Sequence, residues 1–320
     1  MKAAIITGLN TTPELREINE PNLENDQQQI ITVVASPLKN YDRLRTKSGF
    51  YGSFKTFPSI TGSDGVGTLE NGTHVYAQGI SGMFAEKAVI TKGQYVVLPE
   101  SLNPALAAAL PNAITGSLVP LRLRGYMKKD MTVLINGATG FTGQIAVQAA
   151  KYLKAKRIIA TGRDQERLNH LKNLGATELI LLNQSEEKIS GQFKKIQSVA
   201  PIDIVLDYLW GHVAELFIRL IKDGPTHQTR FINLGNNAGT DIKLNADTIR
   251  SSAIEIIGAG TGSYTKEEYN RIHQEIFPEI FQLAAKGILT ANVETAALEN
   301  IAEVWNRKAE AGRRIVFTMN

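Results

Sequence analysis

A glycine-rich loop between an apolar run and a helical pattern constrains the fold of this chain more than any other sequence feature. The apolar run at 133–135 is followed by Gly137, Gly140 and Gly143, and an amphipathic pattern begins at Gln144. Glycines at this spacing allow a tight turn and a close approach of the backbone to a pyrophosphate. A helix that starts directly after them offers N–H groups to the same phosphates. The segment therefore predicts a strand, a phosphate-binding loop and a helix.

The chain after residue 130 alternates short apolar runs with stretches of helical spacing. Strands are predicted at 133–135, 157–160, 179–182, 202–206, 230–234 and 254–257, and helices at 144–154, 165–174 and 186–199. Such alternation is typical of βαβ units, whose strands form a parallel sheet covered by helices. We therefore predict an α/β fold in which residues 114–262 form a Rossmann domain with a doubly wound parallel sheet.

The first hundred residues instead contain short β-rich runs between glycines and prolines, at 2–6, 29–35, 74–77 and 86–90. This pattern indicates an irregular β domain that is rich in antiparallel strands. Further helices are predicted at 105–124 with an interruption near Pro111, at 266–286 with a bend at Pro278, and at 298–311, before a strand at 314–318. We expect the last sixty residues to return to the first domain, which then comprises 1–113 plus 263–320.

Six residues of the loop are the candidates for binding a dinucleotide pyrophosphate: Gly137, Thr139, Gly140, Phe141, Thr142 and Gly143. We expect Gly140 to lie where the backbone passes closest to the phosphates. A side chain there would push the phosphates away from the N–H groups of Phe141 and Thr142, and would strain the backbone if φ is positive.

The strand after the loop indicates which dinucleotide is bound. An NAD site usually has Asp or Glu about 20 residues after the glycine motif, where it binds the ribose 2′-OH. Gly162 stands at that position, Arg163 follows it, and Arg167 lies one helical turn further. A guanidinium suits a 2′-phosphate, so we predict NADP(H) as the cofactor. The alternative is that Arg163 is a solvated loop residue and Asp164 only caps the next helix.

Composition excludes several other kinds of chemistry. The chain has no cysteine, which removes disulfides, thiolate zinc sites, iron–sulfur clusters and cysteine nucleophiles. Its five histidines are far apart in the sequence, so we predict no metal site. The net charge of +4 has no basic stripe that would indicate nucleic-acid binding. The N-terminus does not resemble a signal peptide, and the most apolar stretch, 106–121, is interrupted by two prolines. We therefore predict a cytoplasmic protein without a membrane segment.

Nearly the whole chain resembles the medium-chain dehydrogenase/reductase superfamily, specifically its zinc-less, quinone-oxidoreductase-like branch. The resemblance is carried by segments in the family's order: 36–51, 62–67, 110–112, the glycine loop, 203–207 and 232–235. Residues 62–67 stand where the zinc enzymes have Gly-His-Glu-x-x-Gly, but they contain no histidine. The resemblance implies a GroES-like catalytic domain around the Rossmann domain, and Gly235 as a further cofactor-binding residue. It also implies a homodimer formed through the edge of the Rossmann sheet.

The resemblance further implies that NADPH delivers hydride to an electron-poor small molecule, either a quinone or the β-carbon of an enone. The family's Asn-Pro-x-Asp reads Lys39-Asn40-Tyr41-Asp42 in this chain. Tyr51 and Lys39 are the candidates for lining the acceptor pocket and for donating a hydrogen bond to its developing oxyanion. Asp42 and Asp64 are interpreted as residues that brace loops.

Several alternatives to this interpretation stay open. Tyr51 could be a packing residue at a rim, and Lys39 a charge on an exposed loop. The enzyme could be an enoyl or enal reductase with one specific substrate. The chain could also be a protein that binds NADPH without turnover.

Overall fold

The computed structural model describes residues 1–319, with the backbone alone at Thr261, and the chain divides into two compact units. Unit 1 comprises Met1–Pro111 and the chain from His273 onward, and unit 2 comprises Asn112–Ile272. The predicted fold class is confirmed, because one unit has a parallel sheet and the other is rich in antiparallel strands. The domain boundaries at 113/114 and 262/263 rest on sequence texture and stay a prediction.

The elements follow in chain order. Before the inserted unit they are β1 (Lys2–Ile6), β2 (Glu14–Glu17), β3 (Gln28–Pro37), α1 (Asn40–Arg45), β4 (Ser59–Ile60), β5 (Asp64–Thr68), β6 (His74–Gly79), β7 (Lys87–Val97) and α2 (Pro104–Thr115). The next are α3 (Leu118–Leu123), β8 (Thr132–Asn136), α4 (Phe141–Tyr152), β9 (Arg157–Gly162), α5 (Gln165–Leu174), β10 (Glu178–Leu181), α6 (Glu186–Gln197), β11 (Ile204–Asp207), α7 (Gly211–Lys222), β12 (Thr229–Asn233), α8 (Ala246–Arg250), β13 (Ile254–Gly258) and α9 (Lys266–Arg271). The last are α10 (Phe277–Ala285), β14 (Asn292–Ala297), α11 (Ile301–Trp305) and β15 (Arg313–Thr318).

Unit 1 is built around strand β3, which pairs with both β5 and β7. Because β5, β6 and β7 also pair in succession, these four strands close on themselves. Ile31 and Val33 alternate along β3 and are buried with Val75 and Ile90 in one apolar cluster. A second cluster contains Trp305 together with Ile315 and Phe317 of β15. Strand β15 pairs antiparallel with β3, and β14 pairs parallel with β15.

Unit 2 contains a six-stranded sheet in the order β10-β9-β8-β11-β12-β13, in which every pairing is parallel. All residues of β8 and β11 are buried, as expected for strands that are covered on both faces. The chain order of the strands reverses between β8 and β11. Ligands of doubly wound sheets bind outside the carboxyl ends of the strands at such a switch point.

Some helices differ from their predicted extents. The first apolar helix runs through Pro111, and the break follows Thr115, where Ser117 has non-helical dihedrals and donates a hydrogen bond to the carbonyl of Ala113 at 2.7 Å. The long helix near the C-terminus is interrupted just before Pro278 by a π-helical turn at Ile272–Ile276. The helix predicted at 298–311 is shorter, because only Ile301–Trp305 is α-helical.

One helical stretch, Pro104–Leu123, is long and apolar enough to cross a membrane by length and composition. Within the protein, 72% of its most apolar window is buried. Burial of this kind is also found in the core helices of globular domains.

An ion pair connects α3 to the start of α9 within unit 2. Both terminal nitrogens of Arg124 donate to the Glu268 carboxylate, at 2.6 and 2.9 Å, and the guanidinium lies 4.7 Å from the ring centroid of Tyr264. The hydrogen bonds from Arg124 lower the pKa of Glu268 to about 2.

Replacement of Glu268 by Gln should lower the free energy of unfolding at pH 7 by about 1–2 kcal/mol, since the pair is bidentate but partly solvated. A carboxylate whose pKa is lower in the folded state stabilises the fold above its unfolded pKa and loses that effect on acidification. The difference between wild type and Glu268→Gln should therefore shrink as the pH falls from 4.5 to about 2. Urea denaturation across this pH range measures the difference in the free energy of unfolding. Replacement of the exposed neighbour, Glu267→Gln, is the control. A difference that does not change with pH would contradict the ion-pair explanation.

Candidate functional site

The three glycines of the loop between β8 and α4 have different structural roles. Gly137 has φ +87°, a left-handed conformation that favours glycine. A Cβ at Gly143 would lie 2.6 Å from the backbone of Ala138, so this glycine lets α4 start directly against the loop. Gly140 has φ −75°, and nothing in the described part of the chain lies within 4 Å of a Cβ placed there. The conditional expectation of positive φ at Gly140 is therefore wrong, because the tight turn is made three residues earlier.

The open space beside Gly140 adjoins the first turn of α4. Gly140 is the N-cap residue and has no side chain that could cap the helix. The first N–H groups of a helix have no intrahelical acceptor, and they carry the positive end of its dipole. The amides of Phe141 and Thr142 therefore present donors beside a space that a Cβ would fill. These residues fit the pyrophosphate of a dinucleotide.

A buried hydrogen-bond network holds the loop at the ends of three neighbouring strands. Asn136 at the end of β8 donates to Asp207 at the end of β11 at 2.7 Å. Thr161 of β9 donates to the Asn136 side chain at 2.8 Å and accepts from the Gly137 amide at 3.0 Å. Burial raises the pKa of Asp207, while the donors around it oppose the shift. Sequence reasoning missed Asn136 and Thr161, although a polar residue at the carboxyl end of a buried strand was the available signal.

The end of β9 provides the predicted determinants of cofactor choice. A Cβ at Gly162 would lie 2.5 Å from the Thr139 side chain, so the loop requires a glycine there. Asp164 caps α5 by accepting from the Arg167 amide at 3.0 Å, and its carboxylate lies 3.7 Å from the Arg167 guanidinium. Arg163 is exposed and forms no ion pair among residues 1–319. Its guanidinium is therefore available to a ligand.

Replacement of Arg163 by Ala should weaken NADPH binding about 10- to 150-fold and leave NADH binding nearly unchanged. The loss corresponds to roughly 1.5–3 kcal/mol for one charge-assisted contact to a 2′-phosphate. Fluorescence titration with both cofactors measures it, and Lys172→Ala removes a cation from the same region as a control. Equal losses for both cofactors would mean that Arg163 shapes the loop instead of binding the phosphate.

Gly235 lies just after β12, beside the segment that follows β11. A Cβ at Gly235 would lie 2.9 Å from the carbonyl oxygen of Tyr208, and the side chain of Asn233 donates to the Gly235 carbonyl at 3.0 Å. The position thus requires a glycine for close packing of the two strand ends. Its contact with a cofactor stays a prediction.

Unit 1 has a pocket of about 660 Å³ that includes Tyr51 in its lining. Tyr51 is 86% exposed, and its ring centroid lies 4.4 Å from that of Phe50. Arg45 also lines the pocket, with its guanidinium 4.1 Å from the ring centroid of Phe54. The predicted residue Tyr51 therefore lines a pocket, and its contact with an acceptor stays a prediction. Sequence reasoning missed Arg45, because the direction of a charged side chain on a short helix has no sequence signal.

Lys39, the other predicted pocket residue, is 4% exposed and lies in a network of buried charges. Its ammonium forms an ion pair with Asp64, whose other oxygen accepts from the Tyr76 hydroxyl at 2.6 Å. Asp42 accepts from the Lys39 amide at 2.9 Å and from the Ser63 hydroxyl at 2.5 Å. Asp42 and Asp64 thus brace the segments before α1 and at the start of β5.

Burial lowers the pKa of Lys39 to about 8, while attraction to Asp42 opposes the shift. At pH 7 the ammonium is therefore charged, and two carboxylates lie near it. The alternative of an exposed loop charge does not agree with this burial. A direct contact between Lys39 and an acceptor stays a prediction.

The chain is similar to several known proteins. Residues 142–277 match the family described as zinc-binding dehydrogenase. A probable NADPH-dependent quinone reductase of Emericella nidulans is 26% identical over 99% of both chains. The quinone oxidoreductase of Homo sapiens is 29% identical over 78% of this chain and 76% of its own. The structure of Escherichia coli quinone oxidoreductase complexed with NADPH superposes with a TM-score of 0.79 at 20% identity, over 99% of this chain and 100% of the other.

The donor set of unit 1 does not fit the zinc that the family description mentions. Ser63 and Asp64 stand where the resemblance places the zinc enzymes' His and Glu, but the Ser63 hydroxyl donates to Asp42 and the Asp64 carboxylate is paired with an ammonium. Within residues 1–319 no three His, Asp or Glu side chains are grouped so that they could hold a metal ion. The independence of the reaction from zinc stays a prediction.

Proposed function

The chain belongs to the quinone-oxidoreductase-like branch of the medium-chain dehydrogenase/reductase superfamily, and we propose that it reduces quinones or activated alkenes with NADPH and without zinc. The protein is an NADPH-dependent oxidoreductase. We propose the class of its acceptor and its independence of zinc. The observation that carries the proposal is the phosphate-binding loop: open space beside Gly140, donors at the start of α4, and an unpaired Arg163.

The chain's own residues supply binding and polarisation. The amides of Phe141 and Thr142 would hold the pyrophosphate of NADPH, and Arg163 would hold its 2′-phosphate. When bound, NADPH supplies the hydride, and a proton completes the two-electron reduction. The Tyr51 hydroxyl, exposed in the pocket of unit 1, donates a hydrogen bond to the oxygen on which negative charge develops.

The sequence supports reduction without zinc, because the residues at the metal position of the zinc enzymes differ in this chain. An acceptor carbonyl can be polarised by hydrogen bonds instead of a Lewis acid, and quinones and enones are electron-poor enough to accept hydride under such polarisation. The chain has no cysteine to provide a thiolate ligand. Positioning of the acceptor in a pocket then contributes the remaining rate enhancement.

NADPH oxidation, followed by absorbance across a panel of quinones, enones and enals, tests the proposal. We expect turnover with several quinones or enones, no change after dialysis against a chelator, and a lower kcat for Tyr51→Phe with unchanged affinity for NADPH. Turnover confined to one enoyl or enal substrate would indicate a specific enoyl reductase. Tight NADPH binding without oxidation by any acceptor would contradict the catalytic proposal and favour a cofactor-binding protein.

We also propose that the protein is a cytoplasmic homodimer that pairs through an edge of the parallel sheet, whose two edge strands are β10 and β13. Exposed edge strands offer unpaired backbone groups to a second chain. Light scattering should then give twice the chain mass of 35.0 kDa.

A further inference from the structure

The pocket of unit 1 combines aromatic side chains with positive charge. Arg45 and Lys55 both contribute to its lining, together with Tyr51 and Phe54, and the lining contains no Asp or Glu. A concave site of about 660 Å³ is large enough for a small organic ligand. A negatively charged ligand can complement the unbalanced positive charge of such a site.

Neither cation is neutralised by a carboxylate in the part of the chain that the structure describes. No carboxylate of residues 1–319 lies within ion-pair distance of Arg45 or Lys55. The Arg45 side chain is held in place, because its Nε donates to the Gly52 carbonyl at 3.3 Å and its guanidinium stacks on the Phe54 ring. Stacking and the Nε bond leave the two terminal nitrogens of the guanidinium for a ligand.

The serine hydroxyls of the pocket are less available to a ligand than its two cations. Ser53 donates to the carbonyls of Lys47 and Phe50, and Ser59 donates to the carbonyl of Thr56. The Ser81 hydroxyl accepts from the Val89 amide at 2.9 Å. Besides the Tyr51 and Thr56 hydroxyls, the polar side-chain groups that the lining offers to a ligand are therefore the two cations.

From this arrangement we infer that the acceptor is a planar conjugated molecule that carries an anionic group, such as a carboxylate, which Arg45 and Lys55 bind. The aromatic side chains provide contact area for the conjugated ring, and the guanidinium provides a planar fork for a carboxylate. The inference names the substrate class of the proposed reductase and rests on that function for the reaction itself.

Equilibrium binding of two redox-inert probes tests the inference in the NADP⁺-saturated protein. Naphthalene-2-carboxylate and naphthalene-2-carboxamide share their ring and differ in charge. We expect the carboxylate to bind at least about 10-fold more tightly by calorimetry, and this preference to decrease with added salt. Arg45→Gln and Lys55→Gln should each weaken carboxylate binding about 5- to 10-fold and leave amide binding unchanged. Lys92→Gln, which removes an exposed charge outside the lining, should change neither.

Equal affinity for the two probes, or a preference that both pocket variants retain, would overturn the inference. Lys55→Gln keeps the test valid if Arg45→Gln disturbs the stack on Phe54, since Lys55 is exposed and has no ion-pair partner among the described residues. NADPH oxidation with a naphthoquinone carboxylate and its methyl ester separates the two proposals. Turnover of both acceptors with no charge-dependent binding preserves the proposed function and rejects the anionic acceptor. Charge-dependent binding without turnover of either acceptor would support an anionic ligand in this pocket and reject the proposed reductase function.

Discussion

Replacement of Gly140 by Val should abolish measurable binding of NADPH and NADH alike. The new side chain would occupy the open space beside the loop and separate the pyrophosphate from the first amides of α4. The expected loss is at least about 100-fold, because several charge-assisted hydrogen bonds of roughly 1.5–3 kcal/mol each depend on that approach. Fluorescence titration with both cofactors measures the affinity, and urea denaturation measures the free energy of unfolding.

The fold should survive this replacement, since φ of −75° suits any residue and no neighbour is displaced. Gly191→Val is the matched control, because a Cβ at that helical position also meets nothing within 4 Å, and it should retain cofactor binding. Gly143→Ala provides a contrast, since its Cβ would collide with the Ala138 backbone and lower stability as well. A folded Gly140→Val variant with normal NADPH affinity would mean that the loop is an ordinary turn.

Replacement of Lys39 by Met should destabilise unit 1 by about 3–5 kcal/mol at pH 7, the usual cost of leaving one partner of a buried ion pair uncompensated. The variant keeps most of the volume of the side chain, but Asp64 loses the ammonium and, among the described residues, retains only the Tyr76 hydroxyl as a side-chain donor. Chemical denaturation followed by Trp305 fluorescence reports on unit 1, provided that Trp210, the other tryptophan, is replaced by Phe.

Two further variants distinguish the buried charge from other effects. Lys39→Met combined with Asp64→Asn removes both charges and should recover at least half of the loss. Lys47→Met removes an exposed lysine from the same segment and should change stability by less than about 0.5 kcal/mol. If Lys39→Met were as stable as wild type, the ion pair with Asp64 would contribute nothing, and a role toward the acceptor would become the better explanation for this lysine.

The parallel sheet could be predicted from the sequence because its signal is local. Strands β8, β9 and β12 are apolar runs that border turns or amphipathic helices, and α5 was predicted with its observed bounds. Four strands were missed. Strands β2, β4 and β14 lie at sheet edges and contain no buried residue, whereas β5 is buried but its two glycines interrupt the apolar pattern. Helix α7 was missed although Ala214, Phe217, Ile218 and Ile221 follow a helical period, so its signal was present.

Sequence reasoning could name candidate site residues only where they lie together in one segment of the chain. Loop residues from Gly137 to Gly143 could be named because the chemistry of a phosphate loop is encoded in consecutive positions. Lys39 could not be placed, because its burial depends on Asp64 and Tyr76, which are distant in sequence and reach it through strand pairing. The hydrogen bond between Asn136 and Asp207 could not be predicted for the same reason, since the two residues meet only through strand pairing. Contacts between separate strands are set by tertiary packing, which leaves no local pattern.

The pairing of β3 with β15 has a consequence for the order of events during synthesis. Strand β3 leaves the ribosome before the inserted unit, but Val316, which lies opposite Pro37, is made only after that unit. The inserted unit is contiguous, so its βαβ contacts can form while the final strand of unit 1 is still absent. Until that strand arrives, one edge of β3 exposes unpaired backbone groups. Unit 1 therefore completes its sheet through a pairing that spans the whole inserted unit, whereas every strand pairing of unit 2 lies within one contiguous segment.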